Sequence, residues 1–154
     1  VGEAVFAAED LHSIAKAQAE SQSEERNARE KAELMRQLGM EEGQTPASHQ
    51  RARIRELEDE QKRRSKRAIQ DALDRALVDL LGIYRDVLMR QLGSDQEPIN
   101  DDCVDLIEEL ATHSTPQQTM KRVQAIEDAR KRLTTNMSVP LILEAMTLSL
   151  RPQV

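Results

Sequence analysis

The residues that could do chemistry are one cysteine, three histidines, a short run of basic side chains and 28 carboxylates, and the carboxylates lie on periodic polar faces, as solvated helices require. A cysteine nucleophile needs a base beside it, and no neighbour of Cys103 supplies one. Cys103 also falls in step with Leu106, Ile107, Leu110 and Ala111, the spacing of a small buried hydrophobe on a helix face. His12, His49 and His113 lie far apart, and none belongs to an HxxxH pair. His113 closes a helix, where the dipole favours a cation, and that is reason enough for it. With no GxxxxGK[ST] loop, no GxGxxG turn and no cysteine pair, the sequence offers no catalytic residue, no metal ligand and no cofactor site. The basic run Lys62, Arg63, Arg64, Lys66, Arg67 could touch phosphate. No aromatic residue is interleaved for base stacking, so such a contact would be to the backbone alone. A solvated helix with paired charges is the simpler reading of that run.

The elements around these residues are helical. Hydrophobic residues make up 38% of the 154 positions and charged residues 32%, and Phe6 and Tyr84 are the aromatics. A core made of Leu, Ile, Val, Ala and Met suits helices better than sheets, which draw on aromatic and β-branched residues. The net charge of −6 argues against a nucleic-acid-binding surface over the whole chain but leaves room for a local basic patch. No apolar run approaches a membrane span, and no targeting segment is recognisable. The chain begins at Val1 in helix-like sequence and reads as a piece of a longer protein.

The fold class expected is all-α, a helical bundle preceded by a long helix and an N-terminal helical segment. Residues 3 to 38 carry a modest stripe (Ala4, Val5, Ala8, Leu11, Ile14, Ala15, Ala19), then a mostly charged stretch from Gln22 to Glu33 in which Ala28 and Ala32 are the apolar residues. A helix so polar in its middle is expected to bridge solvent or to lack its partner. Residues 39 to 50, with two glycines and a proline, form a loop, and Ser48 is placed to cap the next helix. From Ser48 to Leu92 no proline intervenes, which allows one helix of roughly 65 Å; a break near Ser65 is the alternative. Its first part is a strut with Glu56 and Glu60 among Arg53, Arg63 and Arg64. Apolar density then rises through Ile69, Leu73, Leu77, Leu80, Leu81, Tyr84, Val87 and Leu88, where a core must begin.

Gly93, Pro98 and Asn100 stop that helix and cap the next. Thr115, Pro116 and Gln118 form a T-x-x-Q capping box. The following helix should bury Met120, Val123, Ile126, Ala129 and Leu133. The last, LILEAMTLSL, is apolar nearly all round and is expected at the centre of the bundle.

Residues 51 to 150 resemble the C-terminal part of the delta-prime subunit of the bacterial DNA polymerase III clamp loader, in its actinobacterial form. The blocks that carry the resemblance are Leu57-Glu-Asp-Glu-Gln-Lys-Arg-Arg, Asp71-Ala-Leu-Asp-Arg-Ala-Leu-Val-Asp-Leu, Tyr84-Arg-Asp-Val-Leu, Ile126-Glu-Asp-Ala-Arg-Lys-Arg-Leu and Leu143-Glu-Ala-Met-Thr-Leu-Ser-Leu. The resemblance implies a division into the end of a lid domain (residues 1–40), a linker and charged helix start (41–67) and a helical collar (68–154). It implies a non-catalytic oligomerisation role in the complex that loads the sliding clamp in DNA replication, with the parent holoenzyme being the DNA polymerase. It implies partnership with the delta and gamma/tau subunits through the collar, contact with DNA only indirectly, no membrane, and a cytoplasmic location. Tyr84, Met89 and Met146 are the candidate subunit-interface residues, since aromatic and Met side chains favour interfaces, although each also fits a core position. The alternatives are a helical adaptor or coiled-coil protein and a helical nucleic-acid-binding module.

Overall fold

A computed structural model of the chain describes residues 2–151. The described residues form α1 (Gly2–Gln37), α2 (Ser48–Gln91), a 3₁₀ turn (Asp101–Cys103), α3 (Val104–Thr112), α4 (Pro116–Leu133) and α5 (Val139–Leu150). The all-α expectation holds. Both long segments are single helices, with no break near Ser65. Among the described residues, no helix is long and apolar enough to cross a membrane. Two compact units are present: residues 14–72, and residues 2–13 together with 73–151.

Residues 14–72 form a helical hairpin. Gly39 takes φ 64°, and the bonds Gly39 N→Arg36 O and Met40 N→Met35 O close the end of α1 in a Schellman motif. The start of α2 corrects the expected cap. Ser48 is already helical, and Ala47 stands before it with its N–H given to Gln50 Oε1 at 2.8 Å. Gln50 Nε2 also donates to Leu38 O, so one side chain ties the loop across its two ends.

The seam between the two helices is apolar at its ends and polar in its middle. Leu34 and Leu38 of the α1 side and Ile54 and Leu57 of α2 are half-buried near the loop, and Ala15 and Ala19 are buried at the other end. In the middle, Arg64 forks onto Glu30 and also reaches Asn27 Oδ1 at 3.2 Å, and Gln61 Nε2 donates to Asn27 O at 3.1 Å. Lys31 pairs with Glu58 at 3.2 Å. The charged stretch of α1 therefore has its partner within the chain, in the charged start of α2. Its polar residues fall on the inner face and bond to one another. The Arg64 guanidinium, by hydrogen bonding, holds the Glu30 carboxyl down at about 2, more than burial raises it.

The second unit is a bundle. Leu73, Leu77, Val87, Ile126, Ile142 and Leu143 are its fully buried apolar side chains. The α2 and α4 helices run antiparallel: Asp74 holds Arg130 through two bonds of 2.7 and 3.1 Å, and further along Gln91 Oε1 accepts from Thr119 Oγ1 at 2.9 Å. These two polar ties set the rotation of α4 and correct its expected face. The buried stripe is Thr119, Arg122, Ile126, Ala129 and Leu133, while Met120 is 50% exposed. Gln91 Nε2 also donates to Ser114 O at 2.8 Å, fixing the turn before α4. That turn carries the expected capping box of Thr115 and Gln118 with Pro116 in the first helical position. Residues 2–13, read from sequence as part of another segment, belong to this unit, and Thr147 Oγ1 donates to Ala4 O at 2.8 Å.

The link from α2 to α3 is anchored by Asp86, a carboxylate 3% exposed. Asn100 gives Asp86 Oδ2 both its backbone N–H at 3.0 Å and its side-chain N–H at 2.8 Å, and Arg85 Nη1 lies 2.8 Å from Oδ1. Burial pushes the Asp86 carboxyl up, but the Asn100 and Ile99 hydrogen bonds and the Arg85 charge bring it below the ordinary range. Asn100 was expected to cap the next helix; its side chain instead turns back to α2 and makes no cap bond. It lies against Gly82, where an added Cβ would stand 3.4 Å from Asn100 Nδ2. That distance is ordinary van der Waals contact, so space does not require a glycine at this point of α2.

Candidate assembly surface

The last helix does not sit as the sequence suggests. Its inward face is Ile142, Leu143 and Met146, all buried. Leu141 and Leu148 are 61% and 42% exposed, and Ala145 between them is exposed too. At 100° per residue these three cluster opposite the buried face, so α5 carries a second apolar stripe directed outward. It was expected at the centre of the bundle; within this chain it is covered on one side. Beside the stripe runs a groove of about 370 Å³ between α4 and α5, floored by Ala129, Ile142 and Met146 and rimmed by Lys121, Asp128 and Arg132. Leu92, Ile99, Val104 and Leu106 are further apolar side chains at 40–69% exposure, around the end of α2 and the start of α3. Leu106 was expected in the core stripe and is outside it.

The three candidate interface residues fall differently. Tyr84 is 6% exposed and Met146 3%, both within the bundle's own core. Met89 is half-buried and lines a cavity of about 160 Å³ under the 94–98 loop, with Arg85, Pro98, Val104 and Ile107. Burial raises the Tyr84 hydroxyl above its ordinary range, and the positive charge of Arg122 offsets part of that. Arg122 is itself 5% exposed, and its Nη1 has no hydrogen-bond partner among the described residues. A buried guanidinium on a stripe with Thr119, Ile126, Ala129 and Leu133 gave no signal in the sequence. Periodicity assigned position 122 to the polar face because its residue type is charged.

The basic run does not stay together. Arg64 turns into the hairpin seam, whereas Lys62, Arg63, Lys66 and Arg67 are exposed. Of the other candidates for chemistry, Cys103 is half-buried, its thiol pushed up by burial and by the Asp102 charge. His113 ends α3 with Nδ1 2.8 Å from Glu109 O. Among the described residues, no three His, Cys, Asp or Glu side chains converge as a metal site.

An all-helical chain with a closed core and an outward apolar helix is the class these features define. The family model described as DNA polymerase III, delta subunit, C terminal, matches residues 52–151, and the chain belongs to that family. It is also similar to DNA polymerase III subunit delta' of Bacillus subtilis (strain 168), at 38% identity over 72 residues, 47% of this chain. The chain spans 22% of the length of that relative. No solved structure matches it.

Proposed function

We propose that this chain is the C-terminal assembly region of a delta-prime-type subunit of the DNA polymerase III clamp loader, of the actinobacterial form. Residues 68–154 act as its collar, joining the delta and gamma/tau subunits. Residues 1–40 are the end of the lid, and 41–67 connect the two. The role is structural, carries no catalytic step, and is exercised in the cytoplasm. In this reading the collar reaches DNA only through the assembled complex.

The observation that carries the proposal is the outward face of α5. Leu141, Ala145 and Leu148 make an apolar seam at i, i+4 and i+7 on a helix whose opposite face is already buried. Covering the two leucines would contribute about 2 kcal/mol each. Tyr84 and Met146 then serve by shaping the helices behind the seam. Met89 and the apolar residues around it are a second contact.

The test mixes the chain with purified partner subunits and measures mass by light scattering. Hetero-assembly is expected, and Leu141→Glu with Leu148→Glu should weaken it more than tenfold while the helical circular dichroism is kept. Assembly that ignores both charges would move the interface elsewhere, and no assembly with any partner would end the reading.

A further inference from the structure

Charge is unevenly shared between the two units: residues 14–72 hold 13 basic and 12 acidic side chains, the remainder 9 basic and 16 acidic. Within the hairpin the surplus gathers along one flank of the first half of α2. Arg51, Arg55, Lys62 and Lys66 are all exposed, and none makes a salt bridge with a described residue. On one α-helix, spacings of 4, 7 and 4 residues put them within about 60° of each other, on the flank next to the seam residues Ile54, Leu57, Gln61 and Arg64; Lys62 also lines the cleft between the hairpin's two helices with Glu20 and Glu24. We propose that this stripe docks the phosphate backbone of double-stranded DNA without reading its sequence. The choice of DNA over other polyanions rests on the replication role proposed above.

The spacing fits a duplex. Arg51 with Arg55 and Lys62 with Lys66 form two pairs whose centres lie about 16 Å apart at 1.5 Å rise per residue. A major groove is about 12 Å wide between its phosphate rims. A helix laid across that groove sets one pair on each rim. Glu58 and Asp59, the acidic residues on the same side, then stand over the open groove and not against a phosphate; Glu58 is in addition paired with Lys31 at 3.2 Å. No aromatic side chain lies on this face, so stacking on single strands is absent from the binding mode. Between Arg51 and Lys66 the face carries no large apolar residue either, so nothing there would enter a lipid surface. The acidic remainder of the chain does not cancel the stripe, because at about 0.1 M salt each charge acts only within a Debye length of about 10 Å.

The test uses the full 154-residue chain and fluorescence anisotropy of labelled 24-base-pair duplexes. Binding should be equal for unrelated sequences and weaken with salt, log K against log[salt] having a slope of about −3.6 for four phosphates. Arg51→Gln with Arg55→Gln, and Lys62→Gln with Lys66→Gln, should each halve that slope, and all four together should abolish binding. Glutamine is a good helix former, so the pairs keep the helix even if the quadruple variant does not. Removing four cations from the bundle (Arg75, Arg90, Lys131, Arg151→Gln) should change affinity less than threefold. No binding at 50 mM salt, an equal loss from the bundle variant, or binding to phosphatidylserine vesicles in preference to duplex would each overturn the proposal. Assembly with partner subunits is read separately by light scattering, so failure of the stripe and failure of the assembly role are distinguishable.

Discussion

The hairpin and the bundle both close helices against helices, but with different side chains. The bundle does it with Leu73, Leu77, Ile126 and Leu143, none more than 1% exposed. The hairpin does it with Asn27, Glu30, Gln61 and Arg64, all part-exposed and bonded to one another. The lesson concerns what each seam specifies. Apolar contacts are strong but tolerate sliding, whereas a bidentate Arg64–Glu30 pair is satisfied in one register only. The hairpin should therefore be the weaker of the two and the more strictly registered.

The widest gap between the units should appear on truncating the core. Leu143→Ala is expected to lower stability by about 3 kcal/mol, within the range for buried leucines. Leu57→Ala, half-buried in the hairpin, should cost about 1 kcal/mol. Urea denaturation followed by circular dichroism measures both. Equal losses would mean that the hairpin is a core in its own right, and the comparison would fail. Asp86→Ala comes next, at about 2 kcal/mol, because it strands two Asn100 donors that have no other partner among the described residues. The shape-preserving Asp86→Asn should recover less than half of that loss, since it places an amide against the Asn100 side-chain amide.

Helix content, most helix ends and the Thr115–Gln118 box were readable because each depends on residues within four positions. What could not be read depends on distant partners. The run from Gln22 to Glu33 reads as a solvated helix, since Asn27 and Glu30 look like surface residues until Gln61 and Arg64 stand opposite. Asn100 has the residue type of a cap, and only the nearness of Asp86 and Gly82 diverts it. Met120 looks more buried than Thr119 on hydropathy, yet Gln91 draws the threonine inward. For α5, a wholly apolar helix signals burial without saying by what, and the chain itself covers one side.

Arg122 allows a sharper test of the bundle, because among the described residues it is a buried cation with no carboxylate bonded to it. Replacing it by methionine, which has similar reach, removes the unpartnered Nη1 and should stabilise the isolated chain by about 1 kcal/mol. Tyr84, the sole tyrosine, reports the same change. Burial raises its hydroxyl and the Arg122 charge lowers it, so Arg122→Met should shift tyrosinate formation to higher pH in an absorbance titration. Destabilisation by the methionine would show that Arg122 has a counter-group, and the bundle would then resemble the hairpin more than its apolar residues suggest.

The smallest effect, and the one most specific to the hairpin, is its response to acid. Glu30 is held at about 2 against an ordinary 4.5, chiefly by the Arg64 hydrogen bonds. A carboxyl depressed in the folded state gives its stability in full above the unfolded value, and loses it as pH falls through the folded one. The Glu30 contribution should accordingly be intact at pH 5 and decline between about 4.5 and 2. Asp86 and Asp74 decline in the same direction in the bundle, so a global melt would mix the two units. Amide hydrogen exchange separates them: protection around Asn27 to Lys31 and Glu58 to Arg64 should fall with acid in the native chain. In Glu30→Gln the same amides should start from lower protection and change little over that range. The amide side chain still accepts one Arg64 bond, which limits the loss at neutral pH, but it carries no charge to titrate. If the hairpin amides of Glu30→Gln keep the native pH dependence, the polar seam is not what closes the hairpin, and its half-buried leucines at the loop end would have to be.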